Sequence, residues 1–362
     1  MDEREFSLEK LMLARAAQRL RPANGTLELT PLCTMNCGMC YVRLSRAEME
    51  AQGRLRTAEE WMAFGQQMER AGVLFLLLTG GEPLLHPGFR EIYTALRRMG
   101  MILTVNTNGT LIDEEWAEFF GKQKPRRINV TLYGASRETY GALCGWADGY
   151  EKTVRALHLL KAAGVDVKIN GSVTPLNVQD MDAIYALGRE LDMPVHMDTY
   201  MVPCTRERSR AFDPGARLGP EEAARARVKA LRAEMPEEQF HLFAAQVLER
   251  IRHPAFPYER QLSCMAGKCS FAVNWQGEMR PCVTLNAPSV RVFERGFEAA
   301  WQEIVSAVRP LRIHEKCASC ALRPLCDTCA ASAYWETGDC GGVPEYLCRY
   351  AEETARQLEK EK

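Results

Sequence analysis

Residues Thr26 to Tyr41 read TLELTPLCTMNCGMCY, a short, partly β-branched run that leads straight into three cysteines spaced C-x3-C-x2-C, with an aromatic behind the last. Cys33, Cys37 and Cys40 thus place three thiols, and not four, within eight residues. Several readings stand at this point: one metal site left open, a structural zinc with a remote fourth ligand, part of a disulfide framework, or buried free thiols. Thiolates favour iron-sulfur clusters and zinc, and a four-iron cluster takes one thiolate per iron. Three thiolates would leave one iron open to another ligand.

The rest of the chain narrows the choice. Its 362 residues allow a substantial core, and the length suggests about two domains. Hydrophobic residues make up 46% and charged residues 26%, ordinary values for a globular protein that needs no disulfide staples. A formal net charge of −1 offers no basic field, which argues against a nucleic-acid partner. The opening MDEREFSLEK has charges where a signal peptide needs an apolar core, and no apolar run is long enough to span a bilayer. A cytoplasmic protein without a membrane partner is expected. Reducing conditions disfavour a disulfide network, so the 14 cysteines point to metal or redox chemistry. They are clustered: three at the start, singletons at Cys144 and Cys204, and the rest between Cys264 and Cys348.

Six apolar, often β-branched runs lie between Gly25 and Met201: Thr26 to Thr30, Val73 to Thr79, Met101 to Thr107, Ile128 to Tyr133, Val165 to Gly171 and Val195 to Met201. Their continuous apolar character suits strands buried on both faces. Amphipathic stretches follow them. Thr57 and Glu60 form a capping box ahead of Trp61, Phe64, Met68 and Ala71, and Gly72 closes that helix. Further helices are expected over Phe89 to Met99, Glu114 to Phe120, Tyr150 to Ala163 and Val178 to Leu191. The alternation predicts a parallel sheet and, with six units, an α/β fold of incomplete (β/α)6 barrel type, whose chemistry sits on loops at the carboxyl ends of the strands. The three-cysteine loop leaves the first strand at such an end.

Beyond Pro203 the pattern breaks into a connector rich in Pro, Gly and Arg, then helical sequence from Pro220 to about Arg252. Short strands, turns and most cysteines follow to Tyr350, and a last helix closes the chain. The expected boundaries are an N-terminal extension at 1–24, the partial barrel at 25–202, the connector and bridging helices at 203–259, a cysteine-rich α+β domain at 260–350, and a helix at 351–362.

The second run ends in LTGGEPLLHP (Leu78 to Pro87). Gly80 and Gly81 would let a ligand approach the backbone, Glu82 offers a carboxylate to a cation or ammonium, and Pro83 stiffens the exit. In the last third, Cys317, Cys320, Cys326 and Cys329 give C-x2-C-x5-C-x2-C, four soft ligands for zinc or an iron-sulfur cluster. Upstream, CMAGKCSFAVNWQGEMRPC sets a Gly277 turn between Cys264 and Cys282.

CTMNCGMCY after the first strand and TGGEP after the second resemble the cluster loop and ligand-amino loop of the radical SAM superfamily. The resemblance implies that Cys33, Cys37 and Cys40 hold a 4Fe-4S cluster and that S-adenosylmethionine chelates its fourth iron. Tyr41, Gly80, Gly81, Glu82 and Pro83 would then border the cofactor. VNTNGTLI (Val105 to Ile112) and INVTLYG (Ile128 to Gly134) resemble the family's third and fourth strands, which makes Asn108 and Thr131 candidate cofactor contacts, with Asn170 on the fifth strand. The C-terminal region resembles the SPASM domain, an auxiliary-cluster extension of many peptide- and protein-modifying members. Carried over, Cys264, Cys269, Cys282 and Cys329 would hold one auxiliary 4Fe-4S cluster, and Cys317, Cys320, Cys326 and Cys348 the other, three clusters in all. The gap before Cys329 is one residue shorter than the family's, and Cys340 is a rival ligand.

What the resemblance implies is reductive cleavage of S-adenosylmethionine to a 5′-deoxyadenosyl radical, which abstracts hydrogen from a substrate. The leading expectation is oxidation or crosslinking (thioether or C–C) of a ribosomally synthesised peptide, driven by an electron donor such as flavodoxin or ferredoxin. Formylglycine formation is a rival, but those relatives carry an Asp after the cysteine matching Cys282, where this chain has Val283. Only Met1 to Asn24 precede the first strand, too few for a leader-binding module. A separate leader-binding protein, or dehydrogenation of a small metabolite, therefore stays open, as does a non-enzymatic electron carrier. Cys204, after the sixth strand, would face the barrel opening as a hydrogen donor or radical relay, or be a small buried hydrophobe.

Overall fold

A computed structural model describes residues 8–208 and 211–361. Residues 1–7 of the expected N-terminal extension, 209–210 of the connector and 362 of the last helix lie outside this range.

Among the described residues nine strands form one sheet: β1 (Asn24–Glu28), β2 (Phe75–Thr79), β3 (Ile102–Thr107), β4 (Arg127–Thr131), β5 (Val167–Ser172), β6 (Val195–Asp198), β7 (Ser270–Val273), β8 (Glu278–Arg280) and β9 (Val290–Arg291). Their order is β6-β5-β4-β3-β2-β1-β7-β8-β9. The first six are parallel, with Thr26 opposite Leu77 and Val130 opposite Ile169. Strand β7 also pairs parallel with β1, setting Thr26 opposite Ala272, so the sheet runs on across the expected boundary at residue 260. The hairpin with β8 turns at Gly277, whose φ of +87° suits glycine.

The helices are α1 (Leu8–Gln18), α2 (Arg46–Gln52), α3 (Ala58–Ala71), α4 (Phe89–Arg98), α5 (Glu114–Lys122), α6 (Arg137–Cys144), α7 (Gly149–Ala162) and α8 (Met181–Glu190). Then come α9 (Pro220–Glu234), α10 (Glu237–Arg252), α11 (Val292–Arg295), α12 (Phe297–Val308), α13 (Glu315–Ala318), α14 (Ala330–Thr337) and α15 (Glu345–Lys360). The α3 capping box is present in both directions: Glu60 N donates to Thr57 Oγ1 at 3.2 Å and Thr57 N to Glu60 Oε2 at 2.8 Å. Trp61, Phe64 and Met68 bury one face of α3. Each such side chain contributes about 1.5–3 kcal/mol on leaving water.

Three expectations shift. The helical stretch from Pro220 to Arg252 is two helices, because Pro236 cannot continue α9 and instead starts α10. The last helix starts at Glu345, which puts Cys348 in its first turn instead of ahead of it. Helices α1, α2, α6 and α11 to α14 were not anticipated, although Ser45 and Glu48 form a second capping box that marked α2. No helix among the described residues is long and apolar enough to cross a membrane.

Candidate active site

The loop after β1 is fixed from three sides. Gly81 N donates to Thr30 O at 2.7 Å and Glu82 N to Leu32 O at 2.8 Å, joining it to the end of β2. Asn36 N and Gly38 N donate to the Cys144 and Leu143 carbonyls at 2.8 and 3.2 Å, docking it on the end of α6. Arg208 donates to the Cys40 carbonyl from the connector. A Cβ on Gly80 would overlap the Thr30 carbonyl oxygen, and one on Gly81 the Leu32 carbonyl. The two glycines were expected to admit a ligand; they are first required for this backbone approach.

Cys33, Cys37 and Cys40 line one cavity of about 290 Å³ at the carboxyl ends of the strands, together with Tyr41, Gly80 and Gly81. Asn108, Thr131 and Cys204 also border it. Burial, aided by the Glu82 charge, pushes Cys33 up to about 12. Contact with the Cys144 thiol, and burial, hold Cys37 well above the usual thiol range. Such thiols would lose their protons to a cation that offsets the buried charge, and three soft donors on one turn suit iron.

Glu82, Pro83 and Asn170 stand outside the lining. The Glu82 side chain is fully buried, and both carboxylate oxygens are used within the protein. Oε1 and Oε2 accept from Thr107 Oγ1 at 2.8 and 2.9 Å, and Oε2 also accepts from Asn108 N at 2.8 Å. Desolvation pushes this carboxyl up to about 7. In place of offering a charge to a ligand ammonium, Glu82 ties the end of β2 to the end of β3. Asn170 pairs in register with Thr131, and its Oδ1 is buried without a partner. An orphaned acceptor beside the cavity wall fits a site built for a polar cofactor.

The sequence reading missed four residues here. Tyr133 and Asp198 are cavity walls at or beyond strand ends. Tyr200 lines the cavity and donates to Glu336 Oε1 of α14 at 3.0 Å, while Arg217 holds both oxygens of that carboxylate. Thr284, from the C-terminal region, lines the same cavity, and its hydroxyl lies 3.4 Å from Cys282 Sγ. Hydroxyls in connecting segments carry no periodic signal, so only folding could reveal them.

In the C-terminal region burial raises the Cys264 thiol above its ordinary value, with Cys329 and Cys282 nearby. Burial raises Cys348 to about 11, with Cys326, Cys317 and Cys320 around it. Cys340 has Cys329 as a neighbour, and Cys269 is fully buried at the start of β7. Among the described residues no group of three Cys, His, Asp or Glu side chains closes to the spacing of a single ion. A four-iron cluster, with one thiolate per iron, holds its ligands further apart.

The family model described as the radical SAM superfamily matches residues 27–188. The AdoMet-dependent heme synthase of Methanosarcina barkeri is 26% identical over 330 residues, 86% of this chain and 92% of that protein. The antilisterial bacteriocin subtilosin biosynthesis protein AlbA of Bacillus subtilis is 26% identical over 266 residues, 72% of this chain and 55% of that protein. Crystal structures of Streptococcus suis SuiB, bound to S-adenosylmethionine and to the precursor peptide SuiA, each superpose with a TM-score of 0.68, at 18% and 17% identity, covering 94% of this chain and 82% of SuiB. The match to residues 27–188 spans the three-cysteine loop and the strand ends around it, and the superposition extends the likeness of fold across the C-terminal region. Residues 27–188 of this enzyme form a radical SAM domain, and the chain as a whole has a fold similar to that of SuiB.

Proposed function

We propose that this enzyme oxidises or crosslinks side chains of a ribosomally made peptide. The family implies S-adenosylmethionine and a four-iron cluster. When bound, they supply a 5′-deoxyadenosyl radical that removes hydrogen from a substrate carbon. Cys33, Cys37 and Cys40 would hold the cluster; Tyr41, Gly80, Gly81 and Thr131 would border the cofactor, with Asn170 behind Thr131 in the wall. Two auxiliary clusters belong to the proposal, one on Cys264, Cys269, Cys282 and Cys329, the other on Cys317, Cys320, Cys326 and Cys348. Burial pushes the Cys204 thiol up to about 12, so it borders the cavity with its proton in place.

The setting of the cavity carries the reading. It is walled by the strand ends and by Thr284 of the C-terminal region, and it opens to the surface, so a larger molecule can present a side chain to it from outside. Thr284 supports the oxidative part, because it puts the Cys282 site beside the reacting space. The printed roles of AlbA and SuiB agree with a peptide substrate. A second reading, chemistry on a tetrapyrrole, is favoured by the heme synthase that aligns over 86% of this chain. A one-electron donor such as flavodoxin or ferredoxin, and a separate leader-binding protein, complete the proposal.

The test starts with anaerobic purification, a count of iron, sulfide and zinc, and an assay of 5′-deoxyadenosine after adding dithionite and S-adenosylmethionine. About 12 irons per chain would match three four-iron clusters. Nucleoside should form with the wild type and not with the combined Cys33→Ala, Cys37→Ala and Cys40→Ala variant. Mass spectrometry of peptides encoded beside the gene, and of an iron porphyrin, then separates the readings: mass loss in a peptide supports the first, conversion of the porphyrin alone would overturn it.

A further inference from the structure

The side chain of Asn108 has two N–H donors and one oxygen with two lone pairs. Nδ2 donates to Cys33 Sγ at 3.4 Å and to Thr34 Oγ1 at 3.0 Å. Oδ1 accepts from Thr110 N at 2.9 Å and Thr110 Oγ1 at 2.7 Å. The backbone N–H donates to Glu82, and the carbonyl accepts from Thr153 Oγ1 at 2.9 Å. The orientation of the amide is not arbitrary, because a backbone N–H can only donate: Thr110 N must face the oxygen, which leaves the NH₂ group on the sulfur. Each side-chain hydrogen-bonding position is used inside the protein, and the residue is buried.

We infer that Asn108 is a positioning residue that acts through the Cys33 sulfur and not a contact for S-adenosylmethionine. The inference rests on the proposed function in one respect, that Cys33, Cys37 and Cys40 hold the cluster. An N–H donor on a ligating sulfur draws electron density from the thiolate and favours the more reduced, more negative state, so it raises the reduction potential. The Glu82 carboxylate holds the Asn108 backbone, and Thr34 and Thr110 hold its side chain, so the donor is aimed from the end of β2, from the loop after β1 and from its own loop.

Asn108→Ala and Asn108→Ser remove the donor, whereas Thr34→Val removes the amide's other acceptor and leaves the sulfur bond. The full chain, loaded anaerobically, is titrated with reductant while recording the EPR signal that changes when S-adenosylmethionine is added. The midpoint should move to lower potential in both Asn108 variants and stay in place in Thr34→Val, with binding of S-adenosylmethionine by equilibrium dialysis unchanged throughout. An unshifted midpoint in the Asn108 variants, with or without weakened binding of S-adenosylmethionine, would overturn the inference. Equal loss of iron from Thr34→Val and the Asn108 variants would also overturn it, since the fault would then lie in packing; loss from the Asn108 variants alone would support it. A wild type without any responsive signal would sink the cluster assignment itself, and this inference with it.

Discussion

Arg206 and Glu28 form a two-point ion pair in the interior: the guanidinium donates to the two carboxylate oxygens at 2.8 and 2.6 Å, with side-chain exposures of 1% and 3%. The same guanidinium reaches the Val283 carbonyl at 2.7 Å, next to Cys282, and lies 5.0 Å from the centre of the Tyr41 ring. Arg206 adopts φ +40°, a left-handed conformation costly for a side chain with a Cβ. It joins β1, the cluster loop and the C-terminal region at one point.

Removing one partner of a buried pair leaves the other charge uncompensated. Arg206→Ala should therefore cost about 3–5 kcal/mol of stability. Urea denaturation of the purified chain checks this, and Arg206→Met combined with Glu28→Met should be less destabilised than Arg206→Ala alone.

Glu82 gives a pH dependence of defined sign. Its carboxyl lies at about 7 in the folded chain against an ordinary 4.5, so the native state binds the extra proton between those values. Stability should fall as pH rises from about 4.5 to about 7 and level off above, because the unfolded chain releases that proton first. Denaturation of the metal-free protein across this window should show the slope, and Glu82→Gln should remove its share of it.

Gly80 has φ +144° and faces the Thr30 carbonyl. Gly80→Ala should cost about 1–3 kcal/mol for the backbone alone. It should also push the β2 end away from the cluster loop, read as a lower melting temperature together with loss of 5′-deoxyadenosine formation.

Cys348, Cys326, Cys317 and Cys320 sit together. Cys348→Ala should lower the iron count by about 4 per chain, the content of one cluster. Cys340→Ala should retain all the iron, although Cys340 neighbours Cys329. Iron and sulfide assays on anaerobic protein check both.

Legibility followed range. The three-cysteine loop, the GGEP turn, the α3 capping box and the six parallel strands all arise from residues close in sequence, where spacing, periodicity and caps act directly. Contacts between distant segments left no such trace. Glu82 was read from its own stretch as a carboxylate offered to a ligand, and Asn108 as a candidate contact by resemblance; the hydrogen bonds that join them to each other, to Thr107 and to Cys33 arise only where β2 and β3 meet the loop after β1.

By itself the sequence determined the parallel alternation and the gathering of the cysteines into a three-thiol loop after the first strand and a C-terminal group. Tertiary structure decided the rest: that β7 extends the same sheet, that Tyr200 and Thr284 wall the cavity, and that Arg206 binds Glu28 across 178 positions of chain. The physical reason is that a buried ion pair or hydrogen bond is selected by the geometry of its partner, which no local pattern of residues encodes.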